Sequence, residues 1–209
     1  MPTPDPFAYP LIAHLATHAP AGYAEHTSYK PWLRDDFSFR CAYCLTRERW
    51  NPSGQDNFGA DHVAARSAAP LLVTTYANLA YACNNCNSIK GVTPLPLNPL
   101  VEAVGFHVVV HQDGVAVALS VGGEAWIVIF RLNSDAKIAI RLEKLAALRV
   151  KLTHPDDADI DHLFRRAFGY PDDLPDLSAL RPPGGNAVAG SESRSHFAQR
   201  SRGELDAVY

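Results

Sequence analysis

The chain has 209 residues and a formal net charge of −3, so it is long enough for one sizeable core with peripheral elements. The small negative charge excludes a protein that coats nucleic acid by bulk electrostatics, and any phosphate binding must therefore be local. Hydrophobic residues make up 47%, but the longest apolar runs, such as FHVVV and WIVIF, are too short to cross a bilayer. The amino terminus also lacks the basic start of a secretory signal, so we expect a cytoplasmic protein.

The amino-terminal residues 1–36 are predicted to form a helical extension. The run YPLIAHLATHA places apolar residues at helical spacing. The run SYKPWLRDDF predicts a second, short helix that begins at Ser28 with Pro31 in its first turn, where proline is tolerated. The histidines of this region, His14, His18 and His26, are predicted to be ordinary surface or partly buried helix residues. We expect both helices to pack against a core domain over residues 37–98.

Four cysteines form two Cys-x-x-Cys pairs in that domain, and none is left over: Cys41, Cys44, Cys83 and Cys86. In a chain without an export signal, thiols at this spacing are better explained as metal ligands than as disulfides. Two such pairs supply four thiolates for a tetrahedral zinc ion, and because no coordination position stays open, this zinc is predicted to be structural. Four buried free thiols are the alternative, which the repeated spacing disfavours.

Beside the first cysteine pair, the segment RERW is predicted to form a short strand. Arg47 and Arg49 alternate in it, so both can face the same side. We expect these two residues to contact substrate phosphates, with an ordinary solvated strand edge as the alternative.

The segment FGADHVAARS, between the two cysteine pairs, places Asp61 next to His62 at the end of a predicted strand. Downstream, the segment YANLAYACNNCNSIKG adds Asn78, Asn87 and Lys90. Together with the cysteine pairs, this order and spacing resembles the HNH, or ββα-metal, endonuclease family in its bacterial zinc-knuckle form. The resemblance covers residues 37–91 closely, and it implies a strand hairpin and a helix that enclose one divalent cation.

The resemblance also implies a role for each of these residues. His62 would be the general base that takes a proton from the attacking water, and Asn78 would brace the loop that orients His62. Asp61 and Asn87 would ligate the catalytic cation, Mg²⁺ or Mn²⁺, which prefers hard oxygen ligands. Lys90, on the same helical face as Asn87, would contact phosphate. An imidazole suits the proton transfer because its reference pKa of about 6.5 leaves much of it neutral at neutral pH.

Residues 99–180 are predicted to form a support region of an antiparallel β-meander and helices. Three apolar runs, GFHVVVHQ, VAVALSV and AWIVIFRL, are separated by turn signals and predict strands. The capping residues Asn133, Ser134 and Asp135 precede the helical repeat AKIAIRLEKLAALRVKL, and a shorter helix is predicted over residues 157–168. Residues 181–209 have the composition of a flexible tail. The predicted fold class is α+β.

This organisation predicts a metal-dependent endonuclease that hydrolyses phosphodiester bonds in DNA, with RNA left open as a substrate. One site cuts one strand, so a double-strand break would need a homodimer or repeated nicking. The mildly acidic chain suggests that a targeting or sensor protein selects the substrate, and an effector of an anti-phage defence system is one such arrangement. The alternative from another class is a zinc-stabilised module that binds nucleic acid or protein without turnover.

Overall fold

The computed structural model describes residues 5–209, and within this range it contains six α-helices and four short β-strands. The helices are α1 (Lys30–Asp36), α2 (Asn84–Lys90), α3 (Val121–Ile129), α4 (Asp135–Thr153), α5 (Ala158–Phe168) and α6 (His196–Ser201). The strands are β1 (Phe58–His62), β2 (Leu79–Cys83), β3 (Val108–Val110) and β4 (Ala116–Ala118). This mixture of helices and two small antiparallel sheets confirms the predicted α+β class. No helix over residues 5–209 has the length and apolar character that a bilayer crossing requires.

The central unit is the β1–β2 hairpin followed directly by α2. The two strands pair antiparallel from Phe58 opposite Cys83 to His62 opposite Leu79, and β2 is buried along its whole length. Cys83 ends β2 and is also the extended residue from which α2 starts. Gly91 ends α2 with a φ of 51°, a conformation that glycine adopts without steric cost. The sharp strand-to-helix change places α2 beside the end of β1.

The predicted helix over YPLIAHLATHA is wrong, because this segment has no regular secondary structure. Single side chains anchor it to the core: the Tyr9 hydroxyl donates to the Tyr43 carbonyl at 2.7 Å, and the His14 ring stacks on Phe37 with centroids 3.8 Å apart. Leu15 is 74% exposed, so the apolar spacing does not mark a buried helix face. Prolines near both ends of the run also disfavour a regular helix.

The second predicted helix is present as α1, but it begins at Lys30 rather than at Ser28. A single 3₁₀ turn, His26–Tyr29, precedes it, and Pro31 occupies its first turn as predicted. The helix packs on β1 and β2, and its Trp32 is fully buried.

The third predicted strand is wrong, since most of AWIVIFRL lies in α3. Ser120 starts this helix, and its hydroxyl oxygen accepts a hydrogen bond from Gly123 N at 3.1 Å. Trp126 and Phe130, four residues apart, are fully buried, and Phe130 stacks on Tyr43 with centroids 4.5 Å apart. A short apolar run alone fits either a strand or a helix. Packing of the aromatic pair on the core selects the helix, and the first two predicted strands remain as the β3–β4 hairpin.

The two helices predicted after the meander are confirmed as α4 and α5. α4 follows directly on Ser134, one of the predicted capping residues. The Asp157 carboxylate accepts hydrogen bonds from the backbone N–H groups of Asp159 and Ile160, both at 3.0 Å, and so caps α5.

Residues 181–209, predicted to be a flexible tail, pack on the core instead. Ser191 Oγ is hydrogen-bonded to His18 Nδ1 at 2.7 Å, and both side chains are fully buried. The backbone N–H of His196, at the start of α6, donates to Asp35 Oδ1 on α1 at 2.9 Å. The composition of this segment indicated a low propensity for ordered structure. These polar contacts with distant residues order the segment all the same.

Candidate active site

The four cysteine sulfurs lie together where β2 passes into α2. All four lie within 4.8 Å of one another, and Cys44 Sγ is 3.8 Å from Cys83 Sγ. A tetrahedral zinc ion with Zn–S distances of about 2.3 Å separates its sulfurs by about 3.8 Å. The spacing and the soft donor set therefore fit the structural zinc site that the two Cys-x-x-Cys pairs predict.

The surroundings of the cysteines carry the positive charge that such a site needs. Tyr43 N donates to Cys41 Sγ at 3.4 Å, and Lys137 Nζ lies 3.8 Å from Cys86 Sγ. Arg141, one turn after Lys137 on α4, is also buried, and its two terminal nitrogens have no hydrogen-bond partner among residues 5–209. Four thiolates around one Zn²⁺ carry a net charge of about −2. Two cations on α4 are placed to offset that charge.

Lys90 points into the protein and is only 1% exposed. Its Nζ lies 3.2 Å from Oδ1 and 3.1 Å from Oδ2 of Asp61, and it donates to the His62 carbonyl at 2.7 Å. A buried ammonium is tolerated only with such partners, because removing a charge from water is costly. The predicted contact between Lys90 and phosphate is therefore corrected: its charge is committed to Asp61 and to the end of β1.

Asp61 has a second partner, Tyr43, whose hydroxyl donates to Oδ2 at 2.5 Å. Burial raises the pKa of Tyr43 well above its ordinary value, and the negative charge of Asp61 raises it further. Tyr43 therefore stays a protonated donor. Oδ1 of Asp61 contacts only Lys90 among the described residues, so this oxygen keeps an acceptor position for a further ligand.

His62, at the end of β1, has one side of its ring fixed by the backbone. Nε2 lies 2.8 Å from the Val73 carbonyl, which can only accept, so in the neutral imidazole Nε2 carries the hydrogen and the lone pair lies on Nδ1. Neighbouring residues of a straight strand face opposite sides. Asp61 and His62, the last two residues of β1, nevertheless line the same cleft.

Asn78 spans the loop that follows His62. Its Oδ1 accepts from Ala64 N at 2.9 Å, and its Nδ2 donates to Ala64 O at 3.1 Å and to Leu72 O at 3.4 Å. Leu72 immediately precedes Val73, whose carbonyl holds the imidazole of His62. These are the contacts that the predicted bracing role of Asn78 requires.

An open cleft of about 420 Å³ joins these elements. Asp61, His62, Asn87 and Lys90 all line it. Asn87 projects from α2, and its side-chain amide makes no hydrogen bond within residues 5–209, so its oxygen is available to a ligand in the cleft. The structure thus brings together the predicted base, Asp61 and Asn87 at one opening.

Arg47 and Arg49 do not line this cleft, so their predicted substrate contacts are corrected. Arg47 is 2% exposed, and its guanidinium lies over the Tyr209 ring at 4.1 Å from the centroid. Burial is the main reason that the pKa of Arg47 falls to about 10. Arg49 donates to the Tyr170 carbonyl at 2.7 Å and pairs with Asp172 at 2.6 Å. The predicted strand is a 3₁₀ turn, Glu48–Trp50, which directs both arginines toward the carboxy-terminal half.

Two further residues of the cleft, His26 and Arg66, were missed by the sequence reasoning. The His26 ring centroid lies 4.6 Å from that of His62, with the ring planes at 48°. No motif marks His26, because it lies outside the segment that carries the pattern. Arg66 lies in the segment FGADHVAARS, four residues after His62. A basic residue so close to the predicted base could have indicated a substrate contact.

Residues 41–93 match the model of a protein family described as HNH endonuclease. The match begins at Cys41, the first of the four clustered cysteines, and ends shortly after Gly91, so it contains the β1–β2–α2 unit. No curated protein and no solved structure matches the chain. The resemblance inferred from the motifs is confirmed for this segment.

Proposed function

Since residues 41–93 form an HNH endonuclease domain, we propose that this protein is a metal-dependent endonuclease that hydrolyses phosphodiester bonds in DNA. The observation that supports the proposal most is the setting of His62. Its Nε2 is held by the Val73 carbonyl, which leaves Nδ1 as a base in an open cleft shared with Asp61 and Asn87. Hydrolysis at neutral pH needs a base, charge stabilisation and room for a phosphate beside them.

In this proposal, Nδ1 of His62 takes a proton from a water molecule, and the resulting hydroxide attacks phosphorus. The bond from phosphorus to the 3′ oxygen breaks, solvent protonates that oxygen, and the products are a 5′-phosphate and a 3′-hydroxyl. The Val73 carbonyl stabilises the imidazolium through its hydrogen bond with Nε2. Asn78 holds the loop that carries this carbonyl, and it therefore acts on the orientation of His62.

The donor set fits a hard divalent cation. Asp61 Oδ1 has an acceptor position left, the Asn87 amide is unpaired within the described residues, and the cleft has room for water and phosphate. When bound by Asp61 and Asn87, Mg²⁺ or Mn²⁺ would offset the negative charge of the phosphate oxygens. The four cysteines would hold zinc separately and contribute only to the fold.

Conversion of supercoiled plasmid to nicked and linear forms tests the proposal. We expect cleavage with added Mg²⁺ or Mn²⁺, none with EDTA, and a loss on the order of 100-fold or more for His62→Ala, since general-base catalysis contributes typically that much. The matched control is His111→Ala, because His111 is exposed and does not line the cleft.

Cleavage that persists in His62→Ala, or that falls equally in the His111 variant, would contradict the assignment of the base. Circular dichroism of each variant, with its zinc content, separates loss of catalysis from loss of the fold.

A second candidate function is a zinc-stabilised module that binds nucleic acid or protein without turnover. The observation that favours it is the Lys90 ammonium, which already neutralises the carboxylate of Asp61. DNA binding without cleavage at any concentration of Mg²⁺ or Mn²⁺ would select this candidate.

We further propose that a protein partner directs the nuclease to its target, as in an effector of an anti-phage system. The net charge of −3 supports this, since the chain lacks the electrostatic excess that holds autonomous DNA-binding proteins on DNA at physiological salt. Since the described residues form one cleft with the candidate catalytic residues, a double-strand cut would require a homodimer or two nicks. A gel shift in which the protein alone binds DNA tightly at physiological salt would contradict the need for a partner.

A further inference from the structure

Two basic side chains of the cleft, His26 and Arg66, have no part in the proton transfer proposed above. His26 belongs to the 3₁₀ turn before α1, which precedes the residues matched by the HNH family model. Its ring packs against that of His62. The amino-terminal segment therefore completes one wall of the cleft.

His26 and Arg66 are the basic side chains that remain for a substrate once His62 serves as the base. Lys90, the other cation at the cleft, is committed to Asp61 and the His62 carbonyl. Arg66 is exposed and makes no ion pair within residues 5–209, and the His26 ring makes no hydrogen bond in that range.

The electrostatic environment of this wall also points to an anion. Burial lowers the pKa of His26, and the positive charges of His62 and Arg66 lower it further, while the carboxylate of Glu25 acts in the opposite direction. Basic groups that share one cleft oppose each other's protonation, and a bound anion relieves that repulsion. A phosphodiester carries such a charge on two non-bridging oxygens.

We propose that His26 and Arg66 form a phosphate-binding pair that holds the DNA backbone against His62. This inference rests on the proposed function, because it assigns the substrate contacts of the same cleft. The guanidinium of Arg66 can donate two parallel hydrogen bonds to a phosphate. The negative charge of the phosphate favours the protonated form of His26, which the neighbouring cations disfavour in the free protein, and this imidazolium can donate one more hydrogen bond. The pair acts on substrate binding, whereas His62 acts on the water.

The test is the affinity for a short fluorescein-labelled DNA duplex, measured by anisotropy over a series of salt concentrations without added Mg²⁺ or Mn²⁺. Arg66→Ala and His26→Gln are each expected to weaken binding and to make the log–log salt dependence shallower by about 1. His26→Lys keeps a positive charge and is expected to keep the wild-type slope. The matched controls, Arg149→Ala and His111→Gln, remove exposed basic side chains that do not line the cleft and should match the wild type.

Wild-type affinity and slope in both Arg66→Ala and His26→Gln would overturn the inference, as would a wild-type protein that fails to bind the duplex even at the lowest salt concentration. If His26→Lys and His26→Gln weakened the affinity for the duplex equally, a role for the charge of His26 would be refuted. The plasmid assay separates these failures from failure of the proposed function. Cleavage with unchanged duplex binding in the variants refutes only the phosphate-binding pair, and duplex binding without cleavage refutes only the nuclease.

Discussion

A single buried charge pair sets the positions of the residues in the cleft. The ammonium of Lys90 contacts both the Asp61 carboxylate and the His62 carbonyl, so it ties α2 to the end of β1. Helical spacing correctly placed Lys90 near Asn87, but spacing does not show whether a long side chain reaches out to solvent or folds inward. That choice follows from the buried carboxylate of Asp61, which needs a charged partner.

Replacing Lys90 with methionine keeps an apolar stem in the buried site and removes the ammonium. We expect the free energy of unfolding to fall by roughly 3–5 kcal/mol, because Asp61 stays buried and loses its partner. Urea denaturation measures the change. The control is Lys144→Met, whose partner Glu143 lies at the surface, and it should change stability much less. Similar losses in both variants would contradict the structural role of Lys90.

Among the elements, those fixed by local spacing were predictable and those fixed by distant contacts were not. The β1–β2–α2 unit was predicted from the family resemblance of the segment that carries the motifs, and each Cys-x-x-Cys pair follows from residues close together in sequence. α3 could not be distinguished from a strand, since its helical form depends on packing of Trp126 and Phe130 against Tyr43. The order of the carboxy-terminal segment depends in the same way on Asp35 and His18, which no local pattern connects to it.

Asp35 connects three segments through one carboxylate. Its Oδ2 accepts from His18 Nε2 at 3.0 Å, and its Oδ1 accepts from His196 N at 2.9 Å and contacts His196 Nδ1 at 3.0 Å. Burial opposes the charge, but the hydrogen bonds from His18 and His196 outweigh it and hold the pKa of Asp35 below its ordinary value. The ionised form is therefore favoured by folding.

A depressed pKa predicts stability that is present above the unfolded pKa of about 4 and lost as the pH falls through the lower folded value. Asp35→Asn should therefore lower the free energy of unfolding by about 1–3 kcal/mol at neutral pH, where it removes a buried charged acceptor. The difference from the wild type should shrink below pH 4. Urea denaturation of both proteins from neutral pH to below pH 4 measures this difference in the free energy of unfolding. A difference that stays constant with pH would contradict stabilisation by the ionised carboxylate of Asp35.

The two cysteine pairs are far apart in the sequence, and the zinc site is what would join them. Removing zinc with a strong chelator is expected to lower Tm and reduce the cooperativity of melting, because the segments around Cys41 and Cys83 lose their common ligand. Circular dichroism and a colorimetric zinc assay measure the two effects, and added zinc should restore Tm. An unchanged Tm after complete zinc loss would contradict a structural role.

Over the whole molecule, the segments outside the HNH domain share its core. The core includes Tyr9 before the domain and Trp126, Phe130 and Leu177 after it, together with residues of β1 and β2. The predicted division at residues 37 and 98 thus separates segments that pack on one another. The motifs predicted that Asp61, His62 and Asn87 lie close together and that the four cysteines do, but they could not reveal that His26, from the amino-terminal segment, lines the same cleft.

A core shared in this way predicts that a substitution far from residues 41–93 unfolds the HNH domain. Trp126→Ala should cost about 3–5 kcal/mol, since the indole is fully buried and its Nε1 donates to the Tyr43 carbonyl at 3.2 Å. Zinc release and loss of helical signal should then coincide at one lowered Tm. The control is Phe106→Ala, an aromatic residue that is 64% exposed and should leave Tm nearly unchanged. Zinc retained through the helical transition would contradict a single cooperative unit.

The bond between Asp35 and His196 spans 161 positions of the chain, and this distance has a consequence during synthesis. A ribosome that adds about 5–20 residues each second needs roughly 8–30 s to travel from one to the other. Throughout that interval the nascent α1 carries a carboxylate without its final partner. The contacts between α1 and the carboxy-terminal segment can therefore form only after almost the whole chain has been made.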